Sequence, residues 1–501
     1  MTPIGDKVED ARKKHTPPVN PLANPLPWWY ELYKRMKLVP WWLGYNIGIA
    51  EQAVLKDKIV QLGTNMGLRH KWLERIIRHA VSEFSKKGLG SDYYGYHNID
   101  HELEVAYVTM LAANGQSGEN KFSQEDIKYL FVAALFHDYD PLKEFDKPHE
   151  DSVEWFIRND AKIQKFIDDV GINADIAIAL IHRTAYPFKD EIAEHAKERM
   201  RELFTGAGIS EDDIEARRHY EDLGRFLSVV DRVAGYALGN FERAKELALR
   251  NAHALGWHPS VINEESVKYF SALKDERQMV ERVLHHLPAD YHNNFLDNVQ
   301  AFRESWEEEI GVRNALARNE LKVVPTVEKI ERDFDPFVKE SILNLYRELP
   351  IPFRVDERQF RKSFSNNDTI LMTLRIDNAN GNILGYAKGA SLENYKLRRG
   401  TEDENKGKKN TIYLEPIGVK PTYWGGAGGH LLRLQFLNEA KRRGYAFVTG
   451  YAHRNVIMQR INRGESIEMV QKYDPDKLDY YRYHLVNLVY QDFHPYEAYS
   501  Q

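Results

Sequence analysis

The residues with chemistry to offer fall between positions 90 and 235. Tyr96-His97-Asn98-Ile99-Asp100-His101 is followed by His137-Asp138, and then by His149, His182 and Asp231. His97 and His101 are four apart, so they share one face if the segment is helical. His137-Asp138 closes the apolar run YLFVAALF, where an adjacent imidazole and carboxylate are costly to bury unless something binds them. A divalent metal is the natural partner. Imidazole and carboxylate together suit zinc, manganese and iron, and carboxylate suits magnesium. Taken singly, a histidine at the end of an apolar helix is more often a hydrogen-bonded core residue; the combination is what points to metal. Asp140, Lys143 and Arg183 are further charged residues near these positions. They read as solvated, with Lys143 or Arg183 suited to holding a phosphate.

Composition narrows the field. The 501 residues carry 69 Lys and Arg against 75 Asp and Glu, a net charge of -6, which argues against an extended nucleic-acid surface. There is no cysteine. That excludes a disulfide scaffold, a thiolate nucleophile, an iron–sulfur cluster and Cys-ligated zinc, so any metal must be held by His, Asp and Glu. The N-terminal residues lack the apolar core of a signal peptide, and no run approaches a membrane span. The expectation is a cytoplasmic protein without a membrane segment.

The elements that must position these residues are mostly helices. Residues 1–49 form an arm rich in Pro, Trp and Tyr, which is expected to pack on the body or on a second copy in a homodimer. From 50 to 320 apolar residues recur at three and four, as in HELEVAYVTMLAAN and SQEDIKYLFVAALFHDY. Ser123, with Glu125 and Asp126 behind it, marks a helix start. From 325 to 501 strand-like runs take over: TILMTLRID, NILGYAKGASL, NTIYLEPIGV, YAFVTGYA and YYRYHLVNLVY. Asn380-Gly381 signals a two-residue hairpin between the first two, and LRRGTEDENKGKKN reads as a solvated hairpin tip. The fold class is multidomain α and α/β: an all-α helical bundle followed by a mixed α/β domain.

The order His, His-Asp, distant Asp resembles the HD superfamily of metal-dependent phosphohydrolases, over about residues 90 to 250. YHNIDHELEV is similar to the YHN-x-x-H-x-x-x-V segment of the cyclic-nucleotide phosphodiesterases in that superfamily. The resemblance makes His101, His137, Asp138 and Asp231 metal ligands, with Asp138 bridging where two ions are bound. It makes His97 the general acid, held and charged by a carboxylate such as Asp100. His149 and His182 stand where other HD branches, such as HD-GYP proteins, ligate a second metal. The phosphodiesterases carry a histidine before the proline of HD-x-x-H-P, whereas this chain reads His137-Asp138-Tyr139-Asp140-Pro141. The implied activity is hydrolysis of a phosphoester, a nucleotide or cyclic nucleotide, with one or two ions of manganese, iron, zinc, magnesium or nickel.

IYLEPIGVKPTYWGGAGGHLLRLQFL sets a strand, a glycine loop and a helix in succession, and such a helix start is a natural anion site. It resembles the acetyl-CoA motif of GCN5-related N-acetyltransferases (GNAT), over about residues 335 to 490. Val419 and Pro421 match the Val-x-Pro, and Trp424, Gly425, Gly426, Ala427, Gly428 and Gly429 form the loop, with Trp424 and Ala427 at positions where the family has Arg or Gln and Gly. His453-Arg454-Asn455 match the end of the next strand, and Asn462 stands where a catalytic tyrosine is frequent. Glu415 reads as a strand carboxylate or a general base. The resemblance implies acetyl-CoA or CoA as a ligand. It leaves two other functions open: an acyl-CoA-dependent N-acyltransferase regulated by the helical domain, and a non-catalytic ligand sensor.

Overall fold

Three- and four-residue apolar spacing produces helices from Trp41 to Ala317. The computed structural model describes residues 41–488 apart from 91–92, 117, 119–120, 256, 258–260, 331–334, 350–352, 355–356, 367, 379, 424–427 and 474–476; for 41–51 and Pro421 it describes backbone alone. The chain forms two compact units, Met1–Val54 and Leu55–Gln501. Of the first, only the helical course from Trp41 is described, so most of the expected arm lies outside the described residues.

Helices α1 (Trp41–Asn65), α2 (His70–Lys87), α3 (Ile99–Asn114) and α4 (Gln124–Phe136) come first. They are followed by α5 (Glu150–Asn159), α6 (Ala161–Val170), α7 (Ala174–His182), α8 (Asp190–Gly206) and α9 (Ile214–Ala237). The set closes with α10 (Phe241–Ala254), α11 (Ile262–Ala272), α12 (Arg277–His285) and α13 (Ala289–Ala317). α4 is apolar nearly all round and buries every residue from Tyr129 to Phe136, so it takes the middle of the bundle. Its start is the capping box expected at Ser123: Ser123 Oγ accepts the Asp126 N–H at 3.0 Å, and Asp126 Oδ2 accepts the Ser123 N–H at 2.8 Å. One core joins Ile59 to Phe302.

Strands β1 (Val323–Glu328), β2 (Ile370–Ile376), β3 (Ile383–Ser391), β4 (Thr411–Leu414), β5 (Gly418–Val419), β6 (Phe447–His453), β7 (Ile467–Gln471) and β8 (Leu478–His484) make one mixed sheet. Its order is β1-β2-β3-β4-β6-β8-β7, with β5 pairing β3. Helices α14 (Pro336–Arg347), α15 (Glu357–Lys362), α16 (Gly428–Arg442) and α17 (Arg454–Asn462) complete it. Alternation along β2 divides the core between the two faces. Ile370, Met372 and Leu374 pack with Leu432 and Phe436 of α16, and Leu371 packs with Ile342 of α14 and Phe360 of α15.

Two loop expectations need correction. β2 and β3 do form a hairpin, but the left-handed residue of its turn is Asp377, φ 60°. The loop spans Asp377 to Asn382 rather than turning on Asn380-Gly381 alone. The charged connection between β3 and β4 is partly buried: Asp403 binds Arg482 at 2.9 Å and accepts the Tyr480 hydroxyl at 2.7 Å. Helical and sheet-bearing parts touch where His253 of α10 meets Phe353 and His453, with ring centroids 5.2 and 5.5 Å apart. Lys477 and Asp146 also pair, at 2.7 Å. Among the described residues no helix is long and apolar enough to cross a membrane.

Candidate metal centre

Local structure explains how the histidines and aspartates meet. Asn98 caps α3, its Oδ1 accepting the N–H groups of Asp100 (2.9 Å) and His101 (3.4 Å). The helix therefore opens with His101 in its first turn, buried in the bundle. His97 stands before the cap, outside the helix, so the two histidines do not share a helical face as the spacing suggests. α4 ends at Phe136, His137 is its C-cap and Asp138 follows in the turn. Asp231 comes from the interior of α9.

The ligand atoms fall into overlapping groups of three, His101-His137-Asp231, His97-His101-Asp138 and Glu102-His137-Asp138, each within 4.8 Å. His101 Nε2 lies 3.0 Å from Asp231 Oδ1 and 3.4 Å from Asp138 Oδ2. His137 Nε2 lies 3.3 Å from Asp231 Oδ1 and 3.5 Å from Asp138 Oδ2. Each Nε2 carries at most one hydrogen yet faces two carboxylate oxygens. With metal–ligand bonds of about 2.1 Å, adjacent ligand atoms stand ~3.0 Å apart in an octahedron and ~3.4 Å apart in a tetrahedron. The four separations match those edges, and His101, His137 and Asp231 together fit a divalent ion, with Asp138 beside them against both imidazoles. His97 joins from the side, its Nδ1 2.5 Å from Asp138 Oδ2. The carboxylate facing His97 is thus Asp138. Tyr96 walls the same space, its ring 4.3 Å from His97 and 4.5 Å from His101.

Charge is concentrated here. Burial works against an ionised His101, but the hydrogen bonds to Asp138 and Asp231 outweigh it and carry the imidazole up to about 9. Burial likewise opposes charge on His137, while Glu102, Asp138 and Asp231 hold it well above the ordinary histidine range. Burial would raise the Asp138 carboxyl, yet His137 and His97 keep it well below the usual carboxylate range. Asp231 is lowered in the same way, chiefly by His137 and His101.

The other sequence candidates stand elsewhere. His182 Nε2 pairs with Glu154 at 3.1 Å. His149 caps α5 by accepting the Asp151 N–H at 3.3 Å and stacks on Phe145. Both line a cavity of about 220 Å³ with Glu150, Glu191 and His195, and among the described residues neither joins a group at metal-ligand spacing. Asp140 is not solvated. It is wholly buried and fixes the loop after the doublet, accepting from Leu142, Lys143, His149 and the Tyr94 hydroxyl. Arg183 is buried too, pairing with Glu276 at 3.1 Å and stacking on Phe188. Lys143 donates to the Gly88 carbonyl and lies over Tyr93. The sequence reading missed Glu102. It is wholly buried, its Oε1 accepts the Asp138 N–H at 3.1 Å, and its Oε2 is 3.1 Å from His137 Nδ1.

In the sheet, β4 and β6 run parallel from Thr411/Phe447 to Tyr413/Thr449. β6 then continues to His453 paired with β8, while the chain after β4 bulges. Gly389 faces Leu414 but Tyr386 faces Gly418, a one-residue shift in register. Glu415 continues the β4 register just before the bulge, its N–H bonding the Lys388 carbonyl at 2.9 Å; its side chain is wholly buried, ion-paired with Lys388 at 2.7 Å and accepting the Tyr395 hydroxyl at 2.6 Å. It is a core ion pair, not a solvent-facing base. Val419 ends β5, and Gly428 and Gly429 open α16. Trp424, Gly425, Gly426 and Ala427 lie outside the described residues.

No family model matches the chain, and no curated protein matches it. Solved structures do. A GNAT family N-acetyltransferase from Escherichia coli in complex with CoA is similar at 15% identity, covering 33% of this chain and 82% of that one, with a TM-score of 0.24. An acetyltransferase of the GNAT family from Staphylococcus aureus is similar at 14% identity, over 32% of this chain and 99% of that one, TM-score 0.22. A ribosomal-protein-alanine N-acetyltransferase from Brucella melitensis is similar at 16% identity, over 32% of this chain and 96% of that one, TM-score 0.22.

Proposed function

We propose that this protein is a metal-dependent phosphohydrolase whose centre is His101, His137, Asp138 and Asp231. One observation carries the proposal: each of two imidazole nitrogens lies 3.0 to 3.5 Å from two carboxylate oxygens, the spacing of adjacent ligands around a divalent ion. The resemblance to HD phosphohydrolases adds the substrate, a phosphoester of a nucleotide or cyclic nucleotide. A bound ion would supply Lewis acidity and acidify water near neutral pH. The chain's own residues do the rest. Asp138 accepts from His97 Nδ1 and so orients the imidazole, leaving Nε2 to give a proton to the departing oxygen. Tyr96 and the bundle core exclude water from the back of the centre.

The test is metal content. Asp138→Ala removes the residue that touches His97, His101 and His137 together. It should strip the ion and abolish phosphodiester hydrolysis, read by elemental analysis and a nitrophenyl phosphodiester assay. Stoichiometric metal in that variant would sink the proposal.

A second reading has its own observation. The divergence of β4 and β6 beyond Tyr413/Thr449, with the start of α16 following β5, suits an acyl-CoA whose pyrophosphate meets a helix N-terminus. CoA is bound in the similar Escherichia coli structure. The supported role is acyl-CoA binding, with N-acyl transfer as its enzymatic form. Burial of Glu415 against Lys388 leaves that carboxylate no part in proton transfer.

A further inference from the structure

We infer that Glu102 is the positioning residue of the proposed metal centre, an inference that rests on the metal reading. A wholly buried carboxylate needs donors around it. Glu102 faces the two consecutive ligands of the His-Asp doublet: Oε1 accepts the Asp138 N–H at 3.1 Å, and Oε2, which among the described residues has no hydrogen-bond donor, makes an ion-pair contact with His137 Nδ1 at 3.1 Å. Glu102 follows His101 on α3, so one short stretch of helix supplies a ligand and clamps the next two.

Two effects follow. His137 Nδ1 also lies 3.1 Å from the Ala134 carbonyl. With acceptors on both sides, Nδ1 carries a hydrogen, and the lone pair of the neutral ring must sit on Nε2, the atom that faces Asp138 and Asp231. Second, Glu102 is a third buried carboxylate beside Asp138 and Asp231. Its Oε1 fixes the backbone of Asp138 and its Oε2 faces the ring of His137, so one side chain holds both ligands of the doublet. A carboxylate behind a ligating histidine fixes the ring and raises its basicity, and losing it typically weakens metal binding by roughly 10- to 100-fold.

Full-length wild-type, Glu102→Gln and Glu102→Leu proteins distinguish the possibilities. Zinc affinity, measured by competition with a chelating dye, should fall by roughly 10-fold in the Gln variant, which keeps one acceptor oxygen, and by about 100-fold in the Leu variant. The visible spectrum of the cobalt(II)-loaded protein should shift as His137 loses its orientation, an effect that mere loss of packing does not produce. In metal-free protein the Asp138 amide should exchange its hydrogen faster in Glu102→Leu. Should the Leu variant fail to fold, the Gln variant and its cobalt spectrum decide. Unchanged zinc affinity and cobalt spectrum in both variants, or an unchanged Asp138 exchange rate, would overturn the assignment. Failure of wild-type protein to take up any ion would sink the metal reading instead, and the exchange rate would still judge the Glu102 clamp.

Discussion

His97 and His101 are four apart in sequence but have different partners in the fold. His101 is buried, and its Nε2 faces two carboxylates. His97 is a fifth exposed and offers one nitrogen to Asp138. That division fits a ligand and a proton donor. His97→Ala should lower turnover of an ordinary phosphodiester by roughly 10² to 10⁴, the usual worth of a positioned general acid. Metal content should hold. The loss should shrink for a nitrophenyl phosphodiester, whose leaving group departs without a proton. Because Asp138 touches His97 as closely as 2.5 Å, the competing outcome is concrete: a His97→Ala protein that loses its ion would make His97 a ligand.

Helices turn these residues into a site, and they set the conditions under which the fold holds. In α13, Glu309 is almost wholly buried and accepts from Asn263 at 2.7 Å. Burial lifts its carboxyl to about 7, against the lowering pull of Asn263 and Arg313. The folded-state value exceeds the ordinary one near 4.5, so the folded form binds the proton more tightly. Its contribution to stability is complete below about 4.5 and is lost as pH rises through about 7. Glu309→Gln should remove that loss and raise Tm at pH 8 by roughly 2–4 °C while leaving Tm at pH 4.5 near wild type; equal shifts at both values would contradict the assignment. At α16 the question is ligand binding. A Cβ on Gly428 would lie 2.5 Å from Leu374, whereas one on Gly429 meets nothing closer than Val419 at 3.8 Å. Millimolar coenzyme A should raise Tm by linkage, and Gly429→Trp should abolish the shift with the core intact. No shift in wild-type protein would remove coenzyme A as a ligand.

What the sequence made legible follows the same elements. The doublet after an apolar run, the Ser123 helix start and the strand-like runs of the C-terminal part are local patterns, and the structure bears each of them out. The condition that would put His97 and His101 on one helical face is not met, because Asn98 caps the helix and its first residue is Ile99. Asp140, Arg183 and Asp403 read as solvated because charge in a loop usually is. Their partners, Tyr94, Glu276 and Arg482, come from distant segments that no local window connects. Glu102 escaped for a related reason: beside His101 it looks like one polar residue of an ordinary helix, and only the return of α4 brings the doublet onto it.

At the scale of the whole molecule, the helical part and the sheet meet through buried rings. His253 and His453 are each more than nine-tenths buried, and Phe353 closes the same contact. Lys477 reaches Asp146, in the loop that follows the His-Asp doublet. That exposed pair contributes about 0–1 kcal/mol, so the aromatic contact, together with the packing of α13 on the Pro421–Tyr423 turn, couples the two parts. Unfolding either side would expose those rings, which favours joint unfolding over independent melting. Calorimetry of the full chain should therefore show one cooperative transition, and adding zinc or removing it with EDTA should move all of it, since an ion bound to the native form stabilises whatever unfolds with its site. Phe353→Ala, which removes the ring from this contact without touching the proposed metal centre, should weaken the coupling and broaden or split the transition, with zinc moving chiefly the component containing the helical part. Two resolved transitions in wild-type protein, with zinc shifting one and leaving the other in place, would mean that the ring contact does not couple them.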